Sequence, residues 1–159
     1  MSQEYTTFFS ETNRVIYHGS NCAIPNPKIL IHGYIKDFGY AFYCTDFLAQ
    51  AKKWAATRKG DSVVNVYEYS SQPSLQILSF PNMTEEWLDF IVDCRRDLKH
   101  DYDIIEGPMA DDQIWDYVDD LATGAITRQA FWEYNKIFGK SLELRSCSLL
   151  ALNMPKIVY

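Results

Sequence analysis

Apolar and polar residues alternate in short runs along much of the chain, and these runs predict strands. The run NRVIYHG at 13–19 is rich in β-branched and aromatic residues, and SVVNVYEYS at 62–70 repeats the pattern. The same pattern predicts shorter strands at 41–44, 74–80, 102–108, 141–146 and 156–159. Residues 148–152, SLLAL, are instead expected to form one helical turn.

Longer stretches place apolar residues three and four positions apart, the spacing of a helix with one buried side. Helices are predicted at 47–59, at a segment beginning after Thr84, at 110–122 and at 127–138. Thr45 or Asp46 is expected to cap the first helix, and Gly60 to end it.

The helix after Thr84 carries the clearest end signals. Thr84 is a good N-cap, and Glu85 and Glu86 suit the positive end of the helix dipole. Its buried stripe is expected to include Trp87 or Leu88, Ile91, Cys94 and Leu98. Arg95 and Arg96 are expected to complement the dipole at the C-terminal end.

The strands and helices follow one another without a regular alternation. That order favours an α+β fold over a doubly wound parallel sheet. No repeat or linker divides the 159 residues, so we expect one domain over residues 1–159. The glycine-rich phosphate-binding motifs GxGxxG and GxxxxGK(S/T) do not occur, so a nucleotide would have to be bound in another way.

Composition and charge narrow the possible partners. Apolar residues make up 47% of the chain, which is enough for a packed core. The net charge of −6 disfavours broad binding to nucleic acid. No basic, apolar leader and no long apolar stretch occurs, so a cytoplasmic protein without a membrane span is expected. The four cysteines are widely spaced, so free thiols and no metal site are expected.

The segment YHGS at 17–20 raises the first functional question. His18 either bonds to the backbone at a strand end or holds a ligand. Gly19 would let a ligand approach the main chain closely, and Ser20 adds a hydroxyl.

The segment DFGYAFYCTD at 37–46 raises the second question. Gly39 is expected in a turn, with Tyr43 and Phe42 on opposite faces of the strand that follows. Either both rings pack in the core, or one of them lines a cleft and offers a flat surface to a ligand ring.

These two segments, together with YDIIEGPMADD at 102–112, resemble the ADP-ribosyltransferase superfamily in the branch of the poly(ADP-ribose) polymerases. The nearest resemblance is to a bacterial family of domains of unknown function within it. The likeness runs roughly from Val15 to Leu152. It implies a split β-sandwich of two small sheets with flanking helices, with NAD bound as substrate in the cleft between the sheets.

The resemblance also implies roles for single residues. His18 would bond to the hydroxyl of the adenosine ribose, Gly19 would clamp the nicotinamide carboxamide through its main chain, and Tyr43 would stack on the nicotinamide ring. With Ser20 and Gly39, these form the predicted cofactor-binding set. The catalytic set would be His18, Tyr43 and an acid or glutamine on a late strand, for which Glu143 is the candidate.

The third position is where the chain departs from the family pattern. Either Glu143 fills it in a shifted register, or Ser141 stands there and the group is lacking. Ala41 also stands where a glycine is usual. Cleavage of the bond between nicotinamide and ribose passes through a cationic, oxocarbenium-like state, which a carboxylate stabilises far better than a serine.

The sequence therefore supports two functions. The first is transfer of ADP-ribose from NAD to an unknown acceptor (a protein, a nucleic acid or a small molecule) with release of nicotinamide. The alternative is an inactive NAD-binding or protein-interaction module on the same fold.

Overall fold

Six strands and four helices are formed by the residues that the computed structural model describes, which are 13–31, 35–70, 73–110, 114–138 and 148–152. The strands are β1 (Asn13–Ser20), β2 (Phe42–Thr45), β3 (Val63–Ser70), β4 (Ile77–Ser79), β5 (Ile104–Pro108) and β6 (Ser148–Leu152). The helices are α1 (Leu48–Ala56), α2 (Glu85–Arg95), α3 (Trp115–Thr123) and α4 (Arg128–Phe138). The predicted α+β class is confirmed.

The strands fall into two groups that β6 joins. β3, β1 and β2 form an antiparallel group, and β4 pairs with β5 in parallel. β6 runs antiparallel to both β2 and β5, which gives the order β3-β1-β2-β6-β5-β4. The two groups of strands therefore share one hydrogen-bonded sheet through β6.

Two sequence predictions for this part of the fold need correction, and two predicted strands are not tested. Residues 148–152 form β6 rather than a helical turn, because they pair along their whole length with β2 and β5. Leu98 is 56% exposed, since α2 ends at Arg95 and the chain turns at Asp97, which has a positive φ of 61°. The predicted strands at 141–146 and 156–159 lie outside the described residues.

The helix ends agree with the sequence for α2 and differ for α1. The Thr84 hydroxyl accepts the Trp87 N–H at 3.3 Å, so Thr84 caps α2 as predicted. Phe47 occupies the N-cap position of α1, and no side chain caps that helix. The predicted cap, Thr45, instead accepts the N–H of Phe47 at 3.1 Å, and α1 ends at Ala56, before Gly60.

Apolar side chains are buried on both faces of the sheet. Successive residues of β5 point to opposite faces, so Ile105 and Ile104 belong to different clusters. The cluster on the side of α2 contains Phe38, Tyr43, Trp87, Leu88, Ile91, Val92, Ile105, Ala110, Ile114, Val118 and Phe131. The opposite cluster contains Ile16, Phe42, Cys44, Tyr69 and Ile104.

The backbone of α1 lies directly on β1 at Gly19. A Cβ atom on Gly19 would lie 2.1 Å from the Ala51 carbonyl oxygen and 2.7 Å from the Ala55 nitrogen. Only glycine therefore permits this approach of helix to strand. The sequence had suggested that Gly19 makes room for a ligand, whereas the space above its Cα is filled by α1.

None of the described helices combines the length and apolar character that a membrane span requires.

Candidate functional site

β1 and β2 stop pairing at the HGS segment of β1 (18–20), and the candidate site lies where their pairing ends. β1 pairs with β3 over all eight of its residues, but its register with β2 consists of Tyr17 opposite Thr45. In the described sheet, no β2 residue pairs with His18, Gly19 or Ser20. The edge of β1 that faces β2 is therefore unpaired with β2 from His18 to Ser20.

The His18 side chain bridges the gap between the two strands. Its Nδ1 lies 2.6 Å from the Tyr43 carbonyl oxygen, and its ring stacks on Phe42 with a centroid separation of 4.4 Å. Because a carbonyl can only accept, Nδ1 carries the hydrogen and Nε2 of the neutral ring is an acceptor. No further hydrogen bond to the imidazole is formed within the described part of the chain. His18 thus bonds to the backbone, which is the first of the two sequence alternatives, and it also lines a cavity.

The charge state of His18 follows from its surroundings. Burial lowers the pKa of the imidazole below its usual 6.5, while the hydrogen bond to Tyr43 raises it and the nearby Lys36 and Arg58 lower it further. The ring is therefore neutral at pH 7, with Nε2 available to accept a hydrogen bond.

Tyr43 is fixed by its hydroxyl group. The hydroxyl donates to the Gly39 carbonyl at 2.6 Å and accepts the Phe38 N–H at 3.1 Å. Gly39 forms a tight turn with φ of 83°, in which its N–H bonds to the Lys36 carbonyl at 3.0 Å. Burial raises the pKa of the Tyr43 phenol, so the hydroxyl remains protonated. The turn predicted at Gly39 thus serves to orient the Tyr43 ring.

His18 and Tyr43 line one cavity of about 180 Å³. Two tryptophans from different helices also line it, Trp54 of α1 and Trp115 of α3. The remaining lining residues are Gly19, Lys36, Asp37, Thr57, Arg58, Met109 and Ala110. The cavity is thus aromatic in its walls, and it has cationic side chains on its rim.

A buried ion pair closes one side of the cavity. Asp37 Oδ1 lies 2.6 Å from Arg95 Nη2, and Asp37 Oδ2 accepts the Ala110 N–H at 2.8 Å. Burial raises the pKa of Asp37, and the adjacent Arg95 guanidinium opposes that effect. Arg95 also bonds to Asp119 and lies 3.5 Å from the ring centre of Trp115. Arg95 does lie in the last turn of α2, as predicted, but the sequence analysis did not predict that its side chain would be buried in an ion pair.

The other predicted site residues have different positions. Ser20 does not line the cavity, and its hydroxyl lies 3.9 Å from the Cys22 sulfur. Gly39 lines a second cavity of about 270 Å³ together with residues 97–103. Ala41 packs against the core on the side of α2 and is not among the cavity residues, so its methyl group does not narrow the cavity. Glu143 and Ser141 lie outside the described residues.

Several cavity residues were missed by sequence reasoning. Lys36 and Asp37 directly precede the predicted turn, and their closeness to the DFGY motif was the available signal. Trp54 falls within the helix predicted at 47–59 and Trp115 within the one at 110–122, and neither was predicted to be a site residue. Among the ranges that the structure describes, no group of three or more histidine, cysteine, aspartate or glutamate side chains could hold a metal ion.

Comparison with known proteins identifies a family but no characterised relative. The model of the family described as "Protein of unknown function (DUF3990)" matches residues 14–144, which is most of the chain. No curated protein and no solved structure matches.

Proposed function

We propose that this chain binds NAD and transfers ADP-ribose to an acceptor. The chain belongs to the family of proteins of unknown function (DUF3990), so the proposal is argued from the chain's own candidate site. The observation that carries the proposal is the meeting of two motif residues 25 positions apart. His18 and Tyr43 line the same cavity, at the point where β1 leaves β2. The resemblance of the three motifs to the ADP-ribosyltransferase superfamily supports the same function, and the two groups of strands would correspond to the two small sheets of that fold.

Each residue has a role that its chemistry allows. The neutral His18 ring would accept a hydrogen bond from a ribose hydroxyl at Nε2, since Nδ1 is already used. Hydrogen bonds between the Tyr43 hydroxyl and the main chain of Phe38 and Gly39 fix the orientation of the ring. In that orientation the ring would stack against the nicotinamide. The main chain of Gly19 lies on the strand edge that β2 leaves unpaired, and it would bond to the carboxamide.

The size of the cavity determines which part of NAD it would hold. Pockets for whole ligands commonly measure about 300–1,000 Å³. A cavity of about 180 Å³ is suited to the nicotinamide end of the molecule, with the adenine ring outside it.

The reaction breaks one bond and makes another. The bond between the nicotinamide nitrogen and the ribose C1′ breaks, and nicotinamide leaves as a neutral molecule with the bonding electrons. An acceptor nucleophile then bonds to C1′ and releases its proton. The cation that develops on the ribose needs a nearby negative charge, which Glu143 would supply.

One observation favours the alternative of an inactive NAD-binding module. Of the described cavity residues, Asp37 alone carries a carboxylate, and both of its oxygens are engaged by Arg95 and Ala110. Without Glu143, the site would hold NAD but provide little stabilisation of the transition state.

Titration calorimetry tests the binding step. We expect NAD to bind the wild-type protein and His18→Ala to weaken binding up to about tenfold, the usual worth of one hydrogen bond. His100→Ala is the matched control, because that histidine does not line the cavity. Absence of NAD binding at millimolar concentration would reject the proposal.

Detection of released nicotinamide by mass spectrometry separates the two functions. Turnover that is lost in Glu143→Gln supports the transferase. Binding of NAD by both proteins, with no nicotinamide released by either, supports the inactive module.

A further inference from the structure

Two cationic side chains line the cavity without forming an ion pair within the described residues. Lys36 precedes the Gly39 turn and Arg58 follows α1, yet both side chains line the cavity. Neither takes part in an ion pair within the described ranges, whereas Arg14, Arg95 and Arg128 all do. The nearest carboxylate to Lys36 in sequence, Asp37, bonds to Arg95 and to the Ala110 N–H and forms no ion pair with Lys36.

The two cations also disfavour each other. Partial burial lowers the pKa of Lys36, the like charge of Arg58 lowers it further, and the nearby Asp37 carboxylate opposes both effects. Both cations also lower the pKa of His18. The protein as a whole has a net charge of −6, so this local gathering of positive charge runs against its overall balance. A bound anion would relieve the repulsion.

From this geometry we propose that Lys36 and Arg58 form a phosphate subsite on the rim of the cavity that His18 and Tyr43 line. The ligand class is a ring-bearing ribose phosphate, whose ring enters the cavity while its phosphate group remains at the rim. This inference deepens the proposed function and rests on it only for the identity of the ring.

The position of Lys36 gives the subsite a second effect. The Lys36 ammonium lies over the Tyr43 ring, 5.0 Å from its centre. A ligand ring that stacks on Tyr43 has to displace this ammonium. A phosphate group provides a new partner for the displaced charge, and a ligand without phosphate does not. The site therefore selects phosphorylated ligands over the corresponding free nucleosides.

Calorimetry with a series of probes tests the subsite. The probes are nicotinamide riboside, nicotinamide mononucleotide, ADP-ribose and inorganic pyrophosphate. The variants are Lys36→Met and Arg58→Met. Lys52→Met is the matched control, because Lys52 is an exposed lysine of α1 that does not line the cavity.

We expect the wild-type protein to bind the mononucleotide at least tenfold more tightly than the riboside, the worth of one hydrogen bond to a charged group. Each cavity variant should lose about tenfold in affinity for the phosphorylated probes. Lys36→Met should also bind the riboside as well as or better than the wild-type protein, because the ring face of Tyr43 is then uncovered. Lys52→Met should behave as the wild type, and added salt should weaken only the phosphorylated probes.

Two results would overturn the subsite. One is that Lys36→Met and Arg58→Met bind every phosphorylated probe as the wild type does. The other is that no phosphorylated probe binds the wild type at millimolar concentration. Failure of the proposed function is distinguishable, since pyrophosphate or ADP-ribose would then still bind through Lys36 and Arg58 while NAD is neither bound nor cleaved.

Discussion

Replacement of Gly19 by alanine tests the contact on which one wall of the cavity depends. The new methyl carbon would lie 2.1 Å from the Ala51 oxygen, 2.7 Å from the Ala55 nitrogen and 3.0 Å from the Trp54 Cβ. Such atoms essentially never come closer than 3.0 Å, and the first two atoms belong to the helix backbone, which cannot rotate away as a side chain does. The whole of α1 therefore has to move away from β1 by roughly 1 Å.

The expected cost follows from this overlap. Overpacking of one methyl group typically costs about 1–3 kcal/mol, and contact with backbone places Gly19→Ala at the upper end, about 3 kcal/mol. Urea unfolding followed by tryptophan fluorescence measures this value. Gly124→Ala is the control, since Gly124 has φ of 79° and no atom within 4 Å of a built Cβ. The control should lose only about 1 kcal/mol, the cost of a left-handed alanine.

Movement of α1 should also reach the candidate site. Trp54 lies on α1 and Arg58 directly follows it, and both line the cavity. We therefore expect Gly19→Ala to weaken binding of the nicotinamide mononucleotide under conditions where the variant is still folded. The reasoning is refuted if Gly19→Ala costs no more stability than Gly124→Ala.

Three further predictions concern stability and its dependence on pH. Arg95→Ala should cost about 3–5 kcal/mol in urea unfolding at pH 7, because it leaves the buried Asp37 carboxylate without its cation. This deficit should shrink towards pH 4 as Asp37 becomes protonated, and a constant deficit would contradict the buried pair. Thr84→Ala should lower the free energy of unfolding by about 1 kcal/mol through loss of the N-cap of α2. An unchanged unfolding midpoint would show that this cap does not stabilise the fold. The lowered pKa of His18 means that the unfolded chain binds more protons below pH 6.5, so His18 should destabilise the fold as the pH falls below 6.5 and contribute no pH dependence above it. Nuclear magnetic resonance titration of the imidazole checks this, and a midpoint above 6.5 would refute it.

Local patterns were sufficient for most of the fold. The alternation in NRVIYHG and SVVNVYEYS predicts β1 and β3 close to their observed bounds, and the cap at Thr84 predicts where α2 begins. The run at 148–152 was assigned wrongly because so short a run with four apolar residues does not distinguish a strand from a helical turn. Its pairing with β2 and β5 decides the matter, and those strands lie about 110 and 45 positions away in sequence, respectively.

The candidate site was predictable only in the part that local motifs carry. His18 and Tyr43 stood out because each lies in a short segment with glycine and a strand, and the resemblance joined them. Asp37 and Arg95 did not stand out, because the ion pair joins two residues 58 positions apart. A carboxylate before a turn and an arginine at a helix end each have an ordinary surface explanation, and only the folded chain reveals the pair.

The end of pairing between β1 and β2 affects how the HGS segment at 18–20 is interpreted. His18 ties the separated strands together through Tyr43, and Gly19 admits the backbone of α1, so both residues serve the architecture whether or not a reaction takes place. A chain of this fold without catalytic activity would still lose stability if either residue were replaced. The presence of His18 and Gly19 in a related sequence is therefore evidence for the fold and not for catalysis. Evidence for enzymatic activity has to come from the acid of the late strand, for which Glu143 is the candidate here.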